Sequence, residues 1–564
     1  MSLHETIADG IADALRRLGL ADSDSAGALS KDHTPHTALD IPVERPREAA
    51  HGDVATPVAM SLAKQLKKNP LEIAEQIAGA VEFPRDVVES VSAVRPGFIN
   101  FRLAPPVLRA AVRDAVAAGD RYGSSRTGAG RSVQVEYVSA NPTGPLVIVS
   151  ARAAAVGNSI LNLLDFVGYA TQGEYYVNDY GKQIEALGDS LRFRLQERLG
   201  VAAPGETIER YQYPGAYLQD IAGGVDDATA RRWIGDEETS ASLGRKAAGA
   251  LLETIRGDLQ AYGARFDRFF GESALHPDAV RAALDRLVKS GHTYREEGAL
   301  FFRSTAFGDD KDRVIQKSDG EFTYFLADVA YHADKLDRGF DRAIGLLGPD
   351  HHGHVPRMKA AMAALGAPVD WFEVIMVGWV RLLEAGNPIS MSKRAGEFVT
   401  MRELIDDVGV DVAKYFFLMR RANSPLDFDL TLARKQSDEN PVYYVQYAHA
   451  RIASVVRFAE ERGVASSAGA SDLSRLTEPE ERTLMLHLLH FPGTVAGAAQ
   501  AREPHRLTTY AQELATAFHQ FYHVCRIVGD DAAVSAARLD LARATRIVLK
   551  NTLQLLGVGA PSSM

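Results

Sequence analysis

The sequence predicts an α/β protein: a parallel-sheet domain preceded by a smaller α+β unit and followed by an α-helical bundle. Three observations carry this expectation. Residues 133–169 read as strand, Pro/Gly loop and helix in succession. The first hundred residues end in strand-like alternation, FINFRL, behind a Pro-Gly turn. Beyond Pro441 strand signals nearly vanish and helical periodicity takes over.

Taken in order, the N-terminus MSLHETIADGIADALRRLGL places Ile7, Ile11, Leu15 and Leu18 at helical spacing, which predicts a docked amphipathic helix. A polar stretch, Asp22 to Asp40, interrupts the first unit. That unit spans residues 1–115 and closes with VSAVRPGFINFRL, where Pro96 and Gly97 turn the chain. The Gly/Ser-rich joint GSSRTGAGRS (123–132) marks the boundary. The sheet domain, 125–435, opens with a strand from Val133 to Val138 and the tight loop Asn-Pro-Thr-Gly-Pro. A helix is expected from Ala151 with Ser150 as its N-cap. Strand, Pro/Gly loop and helix together form the opening of a nucleotide-binding βαβ unit of the Rossmann type. AIGLLGPDHHGH (343–354) and WFEVIMVGWVRLL (371–383) supply further strands and helices. A charged, helix-rich stretch of about 185–300 is expected as one insertion into this sheet. The bundle, 440–564, carries four helical patterns and a surface loop, VASSAGASD (464–472). No internal repeat of 20–50 residues is present.

The 564 residues exceed what one hydrophobic core can serve. With 46% apolar and 24% charged residues, the composition is that of an ordinary globular enzyme. No run approaches the roughly 20 apolar residues of a membrane helix. The N-terminus lacks the basic start and cleavage site of a secretory signal, so a cytoplasmic location without membrane contact is expected. The single cysteine, Cys525 in FYHVCRIV, excludes an intrachain disulfide and a cysteine-based structural zinc site. It reads as a small buried side chain rather than a catalytic thiol. A net charge of −10 argues against a sequence-blind DNA binder. It is neutral about a selective RNA enzyme, because a basic surface can sit on an acidic protein.

The strongest local signal is SMSKRAGEFVT (390–400). A Ser/Lys/Arg cluster before a glycine suits a basic loop that approaches phosphates, lysine supplying compact charge and serine a donor. Taken alone it also fits a solvated surface loop. The cluster Asp350, His351, His352 and His354 has metal-ligand residue types, although loop histidines beside a nucleotide site more often bind phosphates or hydroxyls. Asp328 follows Tyr324 by four residues, one helical turn away on the same face. Read without context, its bland partner is a lysine such as Lys335 across a helix surface.

Together these segments resemble arginyl-tRNA synthetases, which are class I aminoacyl-tRNA synthetases, along essentially the whole chain. HGDVATPVAMSLAK (51–64) and RPGFINFRL (95–103) resemble the family's N-terminal domain, which touches the tRNA elbow. VEYVSANPTGPL (135–146), EYYVNDYGKQI (174–184), SDGEFTYFLADVAYHADK (318–335) and GPDHHGHVPRMKAA (348–361) resemble its catalytic core. NPVYYVQYAHARI (440–452) opens and VLKNTLQLLGVGAP (548–561) closes a helical anticodon-binding domain. The resemblance implies an ATP-dependent ligase acting on L-arginine and tRNA(Arg), magnesium accompanying ATP, no structural metal, and a monomer. SMSKRAG matches the family's KMSK loop, with Ser390 replacing its first lysine. Lys393 would steady charge on the α-phosphate, helped by Arg394 and Ser150. ATP contacts are implied for Pro142, Thr143, Gly144, Val147, Val149, Ser150, Arg152, His351, His352, Met391, Ser392 and Lys393. For arginine, Asp328 would hold the guanidinium and Tyr324 line the pocket. Asn141 would take the α-amino end with Glu136 nearby, and His351 a pocket position. A guanidinium is planar, always charged and matched by carboxylates, which fits this set.

One signature departs. Where the family carries His-X-Gly-His, this chain has Val147-Ile148-Val149-Ser150. Both imidazoles and the glycine that lets adenine approach the backbone are gone. Losing one donor to developing charge typically costs roughly 2.7–4 kcal/mol. Helix N–H groups, Ser150, Arg152, Lys393 and Arg394 are the expected compensation. The alternative is a relative that binds tRNA or arginine without charging. A nucleotidyltransferase unrelated to tRNA would have no use for the C-terminal bundle.

Overall fold

The computed structural model describes residues 3–20, 41–46, 51–235, 238–389, 399–464 and 470–564. The polar stretch Asp22–Asp40 lies outside them, as do residues 390–398 of the basic loop and most of the 464–472 loop.

The N-terminal unit comprises α1 (Leu3–Arg17), β1 (Val54–Thr56), α2 (Val58–Leu66), α3 (Pro70–Ala80), β2 (Val88–Val94), β3 (Phe98–Leu103) and α4 (Pro105–Ala118). Its strands form an antiparallel sheet in the order β1-β3-β2. Ile7, Ile11 and Leu15 of α1 are buried as the spacing predicts, while Leu18 stands at the exposed edge.

Next come β4 (Ser132–Glu136), α5 (Ile148–Phe166), β5 (Ala170–Val177), α6 (Lys182–Arg198), α7 (Tyr217–Gly223), α8 (Asp227–Ile234), α9 (Ser240–Ala261) and β6 (Arg268–Gly271). They are followed by α10 (Asp278–Lys289), the antiparallel strands β7 (Thr293–Glu296), β8 (Ala299–Phe302) and β9 (Arg313–Gln316), then α11 (Tyr324–Asp337). The second half of the domain contains β10 (Arg342–Leu347), α12 (Val355–Ala364), β11 (Phe372–Met376), β12 (Val380–Glu384), β13 (Asn387–Pro388), α13 (Met401–Val408), α14 (Val410–Leu418), β14 (Leu426–Asp429) and α15 (Leu430–Ala433). The main sheet is five-stranded and parallel, in the order β11-β10-β4-β5-β6. The expected parallel-sheet α/β class is the class found. Chain order runs outward in opposite directions from β4 and β10. The crevice at their carboxyl ends is therefore the topological switch point, where open α/β sheets bind ligands.

Two sequence expectations need correction. The helix-rich stretch of about 185–300 is not one insertion: β6 returns to the main sheet within it, pairing with β5 through Glu174–Arg268 to Val177–Gly271. A helical excursion, α6 to α9, precedes β6, and the β7–β9 sheet follows it. Short, half-polar β6 (RFFG) carries too little periodicity to announce itself against charged helical flanks. The strand expected through Val138 ends at Glu136, because Val138 (φ +68°) and Ser139 (φ +39°) enter the left-handed region.

The bundle comprises α16 (Pro441–Glu461), α17 (Pro479–Ala501), α18 (His505–Val524) and α19 (Ala532–Leu555). One continuous apolar core runs from Ile11 through Leu161 of α5 to Leu488 of α17. The N-terminal unit is locked to the bundle by polar contacts. Buried Asp53 accepts from the Leu103 N–H (2.7 Å) and from Arg482 (2.6 Å). Tyr122 donates to the Leu488 carbonyl (3.0 Å) and Lys550 pairs with Asp120 (2.8 Å).

Candidate active site

Two strand-to-helix connections meet at the switch point: Tyr137–Val147, leading from β4 to α5, and Gly348–His354, leading from β10 to α12. The first holds a β-branched residue, Val138, in the left-handed region, a strained geometry that persists only where neighbours over-determine it. Ser139 donates to Glu136 (3.0 Å) and accepts from the Tyr176 N–H (3.1 Å). Tyr175 donates to the Ala140 carbonyl (2.7 Å), and Tyr217 to that of Thr143 (2.6 Å). Asn141 lies exposed between those two anchored carbonyls, beside buried Pro142.

The α5 N-terminus departs from expectation. The helix begins at Ile148 with Val147 as N-cap, in extended conformation and with no side chain capping it. Ser150 is therefore not the N-cap but a buried residue of the first turn, its N–H donating to the Val147 carbonyl (2.9 Å). Tertiary pairing sets this start. Val147 bridges to Thr400, and the Met401 N–H reaches the Leu146 carbonyl at 2.7 Å. The same contacts fix the C-terminal flank of the basic loop beside the first turn of α5. Met391, Ser392, Lys393 and Arg394 themselves lie outside the described residues.

Arg152, expected to bring positive charge to phosphates, is fully buried. Its guanidinium donates to the carbonyls of Gly378 (2.9 Å), Trp379 (3.3 Å) and Arg421 (3.0 Å). Burial lowers its pKa to about 10. It braces α5 against the segments flanking β12 and β14 and has no free fork for a triphosphate. Sequence could not separate these roles, because an arginine in a second helical turn reads the same either way.

Four carboxylates converge near α11, and they divide into two kinds. Glu136 and Glu174 each have a cation of their own: Lys335 at 2.5 Å and Arg338 at 2.6 Å. Tyr331 also donates to Glu174 (2.8 Å). Lys335 is thus taken by Glu136, and the bland pairing of Asp328 with Lys335 does not occur. Asp328 and Glu272 are the other kind. Among the described residues neither has a Lys or Arg within ion-pair reach. Asp328 faces His354 (3.3 Å) and Glu272 faces His276 (3.5 Å). His354 is no substitute for a cation, since burial and the positive charge of Arg357 hold its pKa down to about 4. The Asp328 side chain is 37% exposed at the cleft but otherwise walled by protein. Desolvation, with repulsion from Glu272 and Glu136, lifts its pKa to about 7, against the pull of Arg357. Burial raises Glu272 as well, opposed by hydrogen bonds from Tyr176 and His276.

Tyr324 opens α11 one turn before Asp328, 73% exposed beside the cleft. His351 and His352 are exposed in the 3₁₀ turn Pro349–His354. Among the described residues no group of three or more His, Cys, Asp or Glu side chains could hold a metal ion. Sequence reading missed Glu272, Tyr176 and His354 as neighbours of Asp328. Glu272 begins a short 3₁₀ turn after β6, and nothing local marks it.

The chain matches three family models in order: "Arginyl tRNA synthetase N terminal domain" over residues 5–103, "tRNA synthetases class I (R), catalytic domain" over 111–419, and "DALR anticodon binding domain" over 445–564. It is 45% identical to the arginine–tRNA ligase of Moorella thermoacetica, covering 98% of this chain and all of that one. Identity to the arginine–tRNA ligase of Syntrophotalea carbinolica is 46%, covering 94% and 96%. In fold it is similar to Thermus thermophilus arginyl-tRNA synthetase, with TM-score 0.78 and 23% identity over 99% of this chain and all of that one.

Proposed function

The chain belongs to the arginyl-tRNA synthetase family of class I synthetases, and from that premise we propose how it ligates L-arginine to tRNA with ATP. The observation that carries the reading is the pair Asp328 and Glu272, two carboxylates with no lysine or arginine of their own among the described residues. A guanidinium supplies the missing charge and is forked to match a carboxylate. Asp328 takes it, Tyr324 covers it, and Glu272 adds field from behind. Glu136 stands near the α-amino end, which Asn141 accepts, and His351 closes the far side.

ATP lies along the Asn141–Val147 loop and over the α5 N-terminus, whose N–H groups favour anions whatever side chains accompany them. Pro142, Thr143, Gly144, Val147 and Val149 form that wall, with Ser150 beneath it and His352 opposite. Met391 and Ser392 lead Lys393 and Arg394 to the phosphates, and Lys393 steadies the α-phosphate. An arginine carboxylate oxygen attacks the α-phosphorus, and pyrophosphate leaves. A terminal ribose hydroxyl of the tRNA then attacks the arginyl carbonyl, and AMP leaves. No protein nucleophile takes part; positioning and electrostatics supply the acceleration. Magnesium enters with ATP, held mainly by phosphates and water.

The tRNA(Arg) is read on the bundle. Arg451 lies over both Tyr447 (4.5 Å) and Tyr522 (4.8 Å), and both tyrosines are well exposed. Planar aromatic and guanidinium faces of this kind stack unpaired bases. No described helix is long and apolar enough to cross a membrane. We place the protein in the cytoplasm as a monomer, divided near 1–115, 125–435 and 440–564.

A non-charging relative is not favoured, because the proteins similar to this chain from end to end are arginine–tRNA ligases. The deciding measurement is charging of total tRNA with labelled arginine, beside Asp328→Ala. The parent should form arginyl-tRNA and the variant should bind arginine poorly. A variant that still separates arginine from citrulline as the parent does would move the pocket elsewhere.

A further inference from the structure

The segment after α6 and the start of α7 reach back onto the β4–α5 loop through two tyrosines. Tyr217 donates to the Thr143 carbonyl at 2.6 Å, and Tyr213 lies beside the same residue. The Tyr217 ring packs on Gly144, where an added Cβ would lie 3.5 Å from it. The segment is itself held to α6. The Tyr213 N–H reaches Ser190 (3.3 Å), and Arg194 donates to the Pro214 carbonyl (2.9 Å). Gly215 makes room for the ring, since a Cβ there would fall 2.1 Å from it. On the other side of Asn141, Tyr175 of β5 holds the Ala140 carbonyl. The two residues flanking Asn141 and Pro142 are thus tied by phenolic hydroxyls, one from the sheet and one from the helical excursion.

We propose that Tyr217 is a positioning residue for arginine activation, through which the α6–α9 excursion sets the loop that presents Asn141 to the substrate amine. The proposal rests on the assignment of Asn141 given above. A single hydroxyl on a main-chain carbonyl is worth enough to hold an otherwise strained loop in one arrangement. It does so without touching substrate. The excursion is thereby more than a decoration of the sheet, because its packing reaches the reacting groups by one bond.

The test is Tyr217→Phe, which removes the hydroxyl and keeps the ring. Arginine-dependent pyrophosphate exchange should lose about tenfold in kcat/KM for arginine, with KM for tRNA and Tm unchanged. Gly215→Ala, which displaces the ring and spares the hydroxyl, should reproduce that loss. In an Asn141→Ala background the added effect of Tyr217→Phe should fall below about twofold, because both act on one contact. Parent-like kinetics in Tyr217→Phe, a loss matched by a fall in Tm, or, where Asn141→Ala itself lowers arginine kinetics, full additivity with it would each overturn the proposal. If Asn141→Ala alone left arginine kinetics unchanged, the Asn141 assignment would fail. The single variants would then decide the role of Tyr217, a loss supporting it and parent-like activity overturning it.

Discussion

Asp328 concentrates the energetics of the candidate site in one side chain. Its carboxyl is lifted to about 7, first by desolvation and then by the Glu272 and Glu136 charges. Below pH 7 the arginine-free protein holds this group protonated, and a guanidinium must displace that proton. Arginine affinity should therefore weaken as pH falls from 7 towards 5, by up to about tenfold per unit, and stay flat above pH 8. Calorimetric titration across that range, with proton release measured, checks it. The same shift removes stability as pH rises from about 4, where the unfolded chain ionises this group, to 7, above which the folded state carries a charge its surroundings resist and the loss stays constant. Asp328→Asn should raise the Tm of the arginine-free protein at pH 8, and the gain should shrink as pH falls from 7 and vanish only below about pH 4. Lys393 belongs at this scale too. On the proposed role, Lys393→Ala should slow adenylate formation at least tenfold while leaving arginine affinity intact, since charge that develops only in the transition state would lose its partner. Unchanged single-turnover rates would remove the loop from the chemistry.

Helix α5 shows how an element can keep its placement while losing the side chains that usually signal it. Its N-terminus is placed by the Val147–Thr400 bridge and the Met401–Leu146 hydrogen bond, neither of which uses an imidazole. Its second turn is braced by Arg152 on three carbonyls. Arg152→Ala would leave those carbonyls buried and unpaired. Hydrogen bonds to a charged group contribute about 1.5–3 kcal/mol each, and they are not additive. A loss of at least about 2 kcal/mol in urea unfolding is expected, with pyrophosphate exchange reduced because α5 and β12 no longer move together. Arg152→Lys should recover only part, one ammonium being unable to span three acceptors.

At the scale of the whole molecule, one apolar core and a set of polar contacts join the N-terminal unit, the sheet and the bundle. Asp53, buried between Leu103 and Arg482, is one such contact between the N-terminal unit and the bundle. Asp53→Ala should speed hydrogen exchange across β1–β3 before any change in the sheet domain. Arg451→Ala, on the bundle, should raise KM for tRNA severalfold and flatten its salt dependence, with arginine activation at saturating tRNA unchanged. The parallel-sheet α/β class and the helical bundle were legible from sequence alone. So was the turn-spaced pair Tyr324 and Asp328, because periodicity, Pro/Gly punctuation and local motifs are short-range properties of a chain. The pairing of Lys335 with Glu136, the burial of Arg152, the start of α5 at Ile148 and the return of β6 were decided only by tertiary structure. Each depends on which distant groups share a desolvated space, and charge and hydrogen-bonding capacity there go to whichever partner lies within about 3 Å, a distance that no spacing along the chain encodes.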